Sequence, residues 1–138
     1  MKSKRILVLM HKELVPPEDA ILKNEDRLTT AWTTEYDVIQ CLKKMGHTVL
    51  PLGVYSDLLK IRNAVDEFKP HIIFNLLEEF DGESVFDSHV VSYLELLRIP
   101  YTGCNPRGLM ISRDKALAKK ILSFHRIKSP KFFVFPKQ

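Results

Sequence analysis

Short apolar runs of strand length alternate with segments of helical periodicity along this chain. Residues 5–10 (Arg-Ile-Leu-Val-Leu-Met) form a nearly continuous apolar run, which is typical of a parallel strand covered on both faces. Residues 48–52 and 71–75 are the second and third strand candidates. This alternation predicts an α/β domain of the Rossmann-like, three-layer type, with a mainly parallel sheet and helices on both faces.

Three segments carry apolar residues at every third or fourth position, as an amphipathic helix requires: 33–45, 57–68 and 86–97. Residues 101–102 are a short fourth strand. Asn105 followed by Pro106 is a cap and a first-turn proline, which predicts the start of another helix. Asp114 is expected to begin the last full helix, and residues 131–135 are predicted to form a fifth strand.

At 138 residues, the chain has the length of one domain. Hydrophobic residues make up 45% and charged residues 28%, a composition that supports a packed core and argues against disorder. No apolar run approaches the roughly 20 residues needed to span a bilayer. The apolar stretch near the N-terminus is too short for a signal peptide, because His11, Lys12 and Glu13 interrupt it. We therefore expect a cytoplasmic protein without a membrane partner.

Positive and negative charges are segregated along the chain, whose formal net charge is +4. Acids predominate in residues 66–95 and bases in residues 107–137. A nucleic-acid binder usually spreads its positive charge over one face, so nucleic acid is not the expected partner, and a site on the basic tail is the weakest alternative. The segregation suits a phosphate-bearing small ligand beside an amine or metal site, although solvated helix faces produce the same pattern.

Polar residues that follow the strands are the candidate binding residues, because ligands collect outside the carboxyl ends of parallel strands. The loop after the third strand is acidic and contains Glu78, Glu79, Asp81 and Glu83. Several carboxylates close together favour a bound cation or a substrate ammonium group. A solvated surface loop is the commoner explanation for such a run, but Phe80 within it can fold inward and fix the loop against the sheet.

Lys115 lies at the predicted start of the last helix, where the positive end of the helix dipole repels cations. Its position is explained if it reaches an anion that the free N–H groups also attract, and a solvated lysine is the ordinary alternative. The glycine-rich nucleotide motifs are absent, and the histidines show no metal-ligand spacing. Cys41 and Cys104 have neither metal-ligand nor redox spacing and are expected to be reduced.

Several of these segments together resemble the start of a D-alanine–D-alanine ligase-like member of the ATP-grasp superfamily. The matching segments are 74–77 (Phe-Asn-Leu-Leu), the acidic Gly-Glu loop, 93–103 (Tyr-Leu-Glu-Leu-Leu-Arg-Ile-Pro-Tyr-Thr-Gly), 114–115 (Asp-Lys) and Lys119. The match is good over about residues 69–135, and over residues 5–52 it extends only to the architecture. The combination is far more specific than any single segment.

The resemblance implies a function as well as a fold. Members of this family join a carboxylate to an amine: ATP with Mg²⁺ phosphorylates the carboxylate, and the amine then attacks the acyl phosphate. In the family the lysine matching Lys115 helps bind ATP, and the loop matching residues 78–83 lies at the substrate site. Members often form a homodimer through this first domain, although no exposed apolar stripe of this sequence requires one.

Two departures from the family pattern concern the substrate. The first loop of the family usually reads Gly-Gly-x-Ser-x-Glu, and its glutamate contacts the substrate amine. Here residues 11–18 read His-Lys-Glu-Leu-Val-Pro-Pro-Glu, which leaves Glu13 or Glu18 as substitutes. The usual His-Gly after the third strand is replaced by Glu78 and Glu79. Both changes argue for an amino acid or peptide substrate other than D-alanine.

The resemblance also predicts how the chain is divided. Residues 1–104 would be the pre-ATP-grasp domain, and residues 105–138 a helix and a strand that lead into an ATP-grasp domain missing from this chain. In the family that missing domain supplies the lysines that clamp ATP and the ligands for magnesium, so we expect the isolated chain to be inactive. The alternative is a non-catalytic, flavodoxin-like module whose acidic loop binds a small molecule or a protein.

Overall fold

Three parallel strands form the centre of the fold, in a computed structural model that describes residues 2–135. The strands are β1 (Arg5–His11), β2 (Thr48–Val54) and β3 (Ile72–Asn75). The helices are α1 (Thr33–Lys44), α2 (Leu58–Phe68), α3 (Asp87–Leu96), α4 (Pro106–Arg113) and α5 (Lys115–Phe124). None of the helices between residues 2 and 135 has the length and apolar character that crossing a bilayer requires.

Strand β1 lies in the middle of the sheet, between β2 and β3, and is parallel to both. The chain returns to the sheet once more beyond β3, where Tyr101 forms an isolated parallel bridge with Ile73. Ile73 donates to the Pro100 carbonyl at 2.8 Å and accepts from the Thr102 N–H at 3.0 Å. The predicted strand at residues 101–102 is therefore a single bridge, which lies beside β3 at the edge of the sheet.

Alternate residues of β1 point to opposite faces of the sheet, and both faces are covered by helices. Leu7 and Leu9 lie in one cluster with Ile61 of α2 and Leu94 of α3, all four fully buried. On the other face, the partners of α1 are Ile6, Val8 and Met10. The two clusters confirm the predicted three-layer α/β architecture with helices on both faces.

Side-chain caps begin α2, α4 and α5, whereas α1 and α3 begin without one. The Asp57 carboxylate accepts from the Leu59 N–H at 2.8 Å, the Asn105 side chain accepts from the Gly108 N–H at 2.8 Å, and Asp114 accepts from the Leu117 N–H at 2.8 Å. Each contact satisfies an N–H group that has no partner within its own helix. The α4–α5 junction is the non-helical residue Asp114, which ends one helix and caps the next.

The predicted fifth strand at residues 131–135 is wrong. These five residues have no strand conformation, and they pair with none of the strands in the described part of the chain. Phe133 and Phe135 are each 85% exposed. Strand propensity alone does not form a strand, because the backbone needs a free sheet edge within reach.

The burial of α3 gives a direct test of the core. Leu94 is fully buried, whereas Leu96 is 79% exposed only two residues further along the same helix. We expect Leu94→Ala to lower the free energy of unfolding by about 3 kcal/mol, because it leaves a cavity beneath the sheet. Leu96→Ala should change it by less than about 0.5 kcal/mol. Urea denaturation measures both values, and similar losses would contradict this packing.

His71, the residue before β3, leads to a prediction of how the stability of the fold depends on pH. The His71 Nδ1 accepts from the Arg5 N–H at 2.9 Å. Partial loss of hydration lowers the pKa of His71 from its usual 6.5, and the positive charges of Arg5 and Lys4 lower it further. A histidine whose pKa is lower in the folded state stabilises the fold above pH 6.5, and this contribution is lost as the pH falls through the folded-state pKa.

Stability should therefore fall less steeply in His71→Asn than in the unmodified chain between about pH 7.5 and about pH 5. Asparagine retains an acceptor but does not titrate. The control is His125→Asn, since His125 is exposed beyond the end of α5. Urea midpoints across this pH range test the expectation, and parallel pH profiles for His71→Asn and the unmodified chain would disprove it.

Candidate functional site

A cleft of about 1160 Å³ lies where β1 and β3 end. It is lined by His11 at the end of β1 and Glu13 after it, by residues 75–79 at and after the end of β3, and by residues 102–104 beside them. The first turn of α1, Asp87 at the start of α3 and residues of α4 also line it. This is the position at which open parallel sheets bind ligands, because the loops that follow the strands converge there.

Three of the five acids predicted to bind substrate line this cleft: Glu13, Glu78 and Glu79. Asp81 and Glu83 are exposed and lie outside its lining. Phe80 and Glu83 form a tight turn through mutual backbone hydrogen bonds of 3.2 and 3.1 Å, and the Asp81 N–H donates to the Tyr55 carbonyl at 2.8 Å. The turn directs the second half of the acidic loop away from the first half. Substrate binding by these five residues stays a prediction.

Lys115 lies outside this cleft. It lines a neighbouring depression of about 520 Å³, together with residues of α3 and α4. Arg113 lines both depressions, so they adjoin at the end of α4. The predicted contact of Lys115 with ATP therefore belongs to a separate subsite next to the acidic cleft, and it stays a prediction.

Asn75 positions the loop that follows β3. Its side-chain oxygen accepts from the Leu77 N–H at 3.2 Å, and its own N–H donates to the Thr102 hydroxyl at 3.0 Å. The first contact turns the chain at the end of the strand, and the second ties that turn to the neighbouring loop. Asn75 thus ends the strand and fixes the start of the loop that carries Glu78 and Glu79.

A glycine in β2 allows the first loop to approach the sheet closely. A Cβ atom added to Gly53 would lie 2.9 Å from the Lys12 Cα atom, which is shorter than side chains permit. The absence of a side chain at this position lets residues 12–15 pack across the strand end. This packing holds Glu13 at the mouth of the cleft.

His11 lines the cleft with one ring nitrogen unpaired. Its Nδ1 accepts from the Glu13 N–H at 3.3 Å, which in the neutral ring places the hydrogen on Nε2. The Nε2 atom is buried and has no hydrogen-bond partner among residues 2–135. Its nearest carboxylate oxygen in the cleft is Glu79 Oε1, at 3.6 Å. This separation is too long for a hydrogen bond, so Nε2 has no partner within the described residues.

Glu35 is a lining residue that sequence reasoning missed. It lies in the first turn of α1 and is only 6% exposed, and its Oε2 atom is buried without a hydrogen-bond partner within the described residues. The sequence contained a signal: Glu35 falls on the same helical stripe as Ile39 and Leu42, which are both buried. A charged residue at an apolar stripe position requires a separate physical explanation.

An ion pair between a buried carboxylate and a partly exposed guanidinium joins α3 to α4 in the lining of the cleft: the side chain of Asp87 is 7% exposed and that of Arg113 is 35% exposed. Arg113 Nε donates to Asp87 Oδ1 at 3.2 Å, and a second guanidinium nitrogen donates to Asp87 Oδ2. That second nitrogen also donates to the Glu78 carbonyl at 3.3 Å. The hydrogen bond with Asp87 raises the pKa of the Arg113 guanidinium. Sequence reasoning missed this pair because each charge suits the end of its own helix without the other.

Metal-ligating and thiol groups contribute little to this arrangement. Between residues 2 and 135, no three His, Cys, Asp or Glu side chains are grouped closely enough to hold a metal ion. Cys41 and Cys104 are exposed free thiols, and Cys104 lies at the edge of the cleft. The cleft is therefore a pocket of carboxylates with one histidine and one paired arginine.

No family model matches the sequence, but individual proteins do. A D-alanine–D-alanine ligase of Pelagibacter ubique is 37% identical over 102 residues, which are 74% of this chain and 32% of the relative. A D-alanine–D-alanine ligase of Moorella thermoacetica is 31% identical over 99 residues, which are 71% of this chain and 30% of the relative. The resemblance to D-alanine–D-alanine ligases is confirmed.

The similarity to D-alanine–D-alanine ligases extends to the fold. The crystal structure of the D-alanine–D-alanine ligase from Bacillus anthracis, complexed with ATP, superposes with a TM-score of 0.64 at 24% identity. The superposition covers 95% of this chain and 38% of that ligase. The chain spans only about a third of the length of the ligases that it matches.

The Asp87–Arg113 pair can be tested against a pair of similar geometry whose carboxylate is exposed. Arg27 contacts Asp37 with two hydrogen bonds of 2.7 and 3.0 Å, and both side chains are more than a third exposed. Arg113→Ala should lower the urea midpoint more than Arg27→Ala, because it leaves the 7%-exposed Asp87 side chain buried and unpaired.

Adding Asp87→Asn to Arg113→Ala should restore part of the loss, since the buried group is then uncharged. A double-mutant cycle on urea midpoints measures this coupling. Additive effects of the two substitutions would contradict the role given to the ion pair.

Proposed function

We propose that this chain is the N-terminal, substrate-side domain of an ATP-dependent carboxylate–amine ligase of the D-alanine–D-alanine ligase-like, ATP-grasp type. Residues 1–104 are its pre-ATP-grasp domain, and residues 105–138 lead into the ATP-grasp domain. The observation that carries the proposal is the acid-lined cleft at the strand ends of a fold shared with ATP-dependent ligases. Similarity to about a third of the length of such ligases supports it.

The chemistry assigned to the complete protein has two steps. ATP supplies the phosphoryl group that activates a carboxylate as an acyl phosphate, and an amine displaces the phosphate. The carboxylates of the cleft attract the ammonium group of an amino acid or peptide substrate, with Glu13, Glu78 and Glu79 at its walls. Asp81 and Glu83 lie on the outer part of the same loop, outside the lining of the cleft, and remain the outer candidates for substrate binding.

Lys115 is assigned to ATP. Its side chain is exposed in the first turn of α5, beside the cleft and separated from it by Arg113. A free ammonium group at this position fits a phosphate oxygen or an acceptor atom of the adenine. The residues present thus fit an ATP contact but not a complete Mg²⁺ site, because no suitable group of ligands occurs between residues 2 and 135. The Mg²⁺ ligands are assigned to the ATP-grasp domain.

Phosphoryl transfer depends on several positioned cations that offset the developing negative charge. Within the described part of the chain, the cleft offers only Arg113, which Asp87 already neutralises. For this reason we infer that the 138-residue chain has no ligase activity by itself.

The test uses the full product of the gene that encodes this chain. We expect it to release ADP from ATP only when an amino acid or peptide acceptor is added, and we expect the 138-residue chain to release none. A panel of D- and L-amino acids and diamines in a coupled ADP assay measures this. A folded full-length protein whose ATP turnover responds to no acceptor would overturn the ligase assignment.

Lys115→Ala in the full-length protein should raise the KM for ATP by about tenfold, since it removes a charge-assisted contact with the nucleotide. The matched control is Lys120→Ala, an exposed lysine on the same helix, which should leave the KM unchanged. An equal effect of the two substitutions would remove Lys115 from the nucleotide site.

A further inference from the structure

The cleft has a strong excess of negative charge. Its lining contains five carboxylates: Glu13, Glu35, Glu78, Glu79 and Asp87. Among the described lining residues, Arg113 is the only lysine or arginine, and its guanidinium is already paired with Asp87. Four carboxylates are therefore left without a cationic partner in the walls of the cleft.

Glu35 distinguishes this cleft from an ordinary acidic surface. Surface carboxylates are hydrated, but Glu35 is 6% exposed and its buried Oε2 atom has no partner. Burying a carboxylate oxygen without a hydrogen-bond partner is unfavourable, and the helix dipole at the start of α1 offsets only part of that cost. Such a cost is retained at functional sites, where a ligand supplies the missing partner.

The same charges disfavour a simple zwitterionic amino acid. Its ammonium group is attracted to Glu35, but its carboxylate would lie among the remaining acids without an unpaired cation to hold it. Like charges a few ångströms apart repel strongly in a partly desolvated cleft. A second ammonium group would instead be attracted by Glu13 and Glu79, which line the same cleft after β1 and β3.

We propose that this cleft selects a small ligand with two ammonium groups, one held at the inner wall by Glu35 and the other held by Glu13 and Glu79. The chemical class is a short aliphatic diamine or a diamino acid. If the ligand is taken to be the substrate of a ligase, the inference rests on the proposed function. The binding preference of this chain for such ligands does not depend on that function, and it can be measured without ATP or turnover.

The binding test compares ligands that differ by one ammonium group. The probes are putrescine against butylamine, and ornithine against norvaline, titrated into the 138-residue chain and followed by amide NMR shifts. Putrescine and ornithine should each bind at least about tenfold more tightly than the partner that lacks the second ammonium group. The shifts should be centred on residues 11–13, on the first turn of α1 and on residues 75–79.

Glu35→Gln should weaken putrescine binding by about tenfold, because the amide has no charge to attract an ammonium group. It should also raise the melting temperature of the free chain by about 3 °C, since it removes an unpaired buried charge. The matched control is Glu67→Gln, an exposed acid on α2 outside the cleft, which should leave the affinity unchanged. If Glu35→Gln does not fold, Glu79→Gln tests the outer subsite in the same way.

The proposal is overturned if putrescine binds no more tightly than butylamine, or if it produces no shifts at about 50 mM. It is also overturned if Glu35→Gln, or Glu79→Gln in its place, binds like the unmodified chain. A weakening by Glu67→Gln equal to that by Glu35→Gln would show nonspecific attraction to surface acids. Loss of the diammonium preference leaves the ligase proposal intact, and failure of the ADP assay leaves the binding preference intact.

Discussion

Strand β1 is the element on which the rest of the structure depends. It pairs with a parallel neighbour on each edge and is buried on each face, with Leu7 and Leu9 against α2 and α3 and with Ile6, Val8 and Met10 against α1. Hydrocarbon covers both faces, so polar groups meet the strand only near its two ends, the exposed Arg5 and the half-buried His11. His11, at the carboxyl end, lines the cleft.

The carboxylates of the cleft have little positive charge to balance them. The Asp87–Arg113 pair is neutral as a unit and joins α3 to α4, so the one guanidinium in the lining formed by residues 2–135 does not neutralise the other acids. Glu35 then remains buried with one oxygen unpaired, at a position where a leucine would pack against Ile39. A fold that carries this cost is better suited to hold a cation than to be maximally stable.

Local signals in the sequence predicted most of the fold. Helix starts at Asp57, Asn105 and Asp114 follow from short-range capping chemistry, and the three strands of the sheet follow from apolar runs. The segment at 131–135 has strand composition but no strand, because pairing requires a free edge, which composition does not report. Tyr101 meets the sheet at one position only, for a similar reason: the chain turns away after Thr102.

The sequence predicted some of the residues that line the cleft but not how they are grouped. The sequence located an acidic loop, but it did not show which of its carboxylates face the same cleft, because that depends on the path of the backbone. The turn at Phe80–Glu83, with Asp81 at φ 56° and Gly82 at φ 76°, separates Glu78 and Glu79 from Asp81 and Glu83. Glu35 and Arg113 join the cleft from α1 and α4, which are distant in sequence, and no local pattern shows that they meet.

The sequence by itself determined the order of the three strands of the sheet and of the helices, the caps of α2, α4 and α5, and the alternation that forces a layered parallel sheet. These properties depend on contacts between residues a few positions apart, and periodicity reports them directly. Only the tertiary structure decided which acids share a cleft, which arginine is already neutralised and which carboxylate is buried without a partner. Those properties depend on distances between segments that are far apart in the chain, and such distances are set by how the helices pack on the two faces of β1.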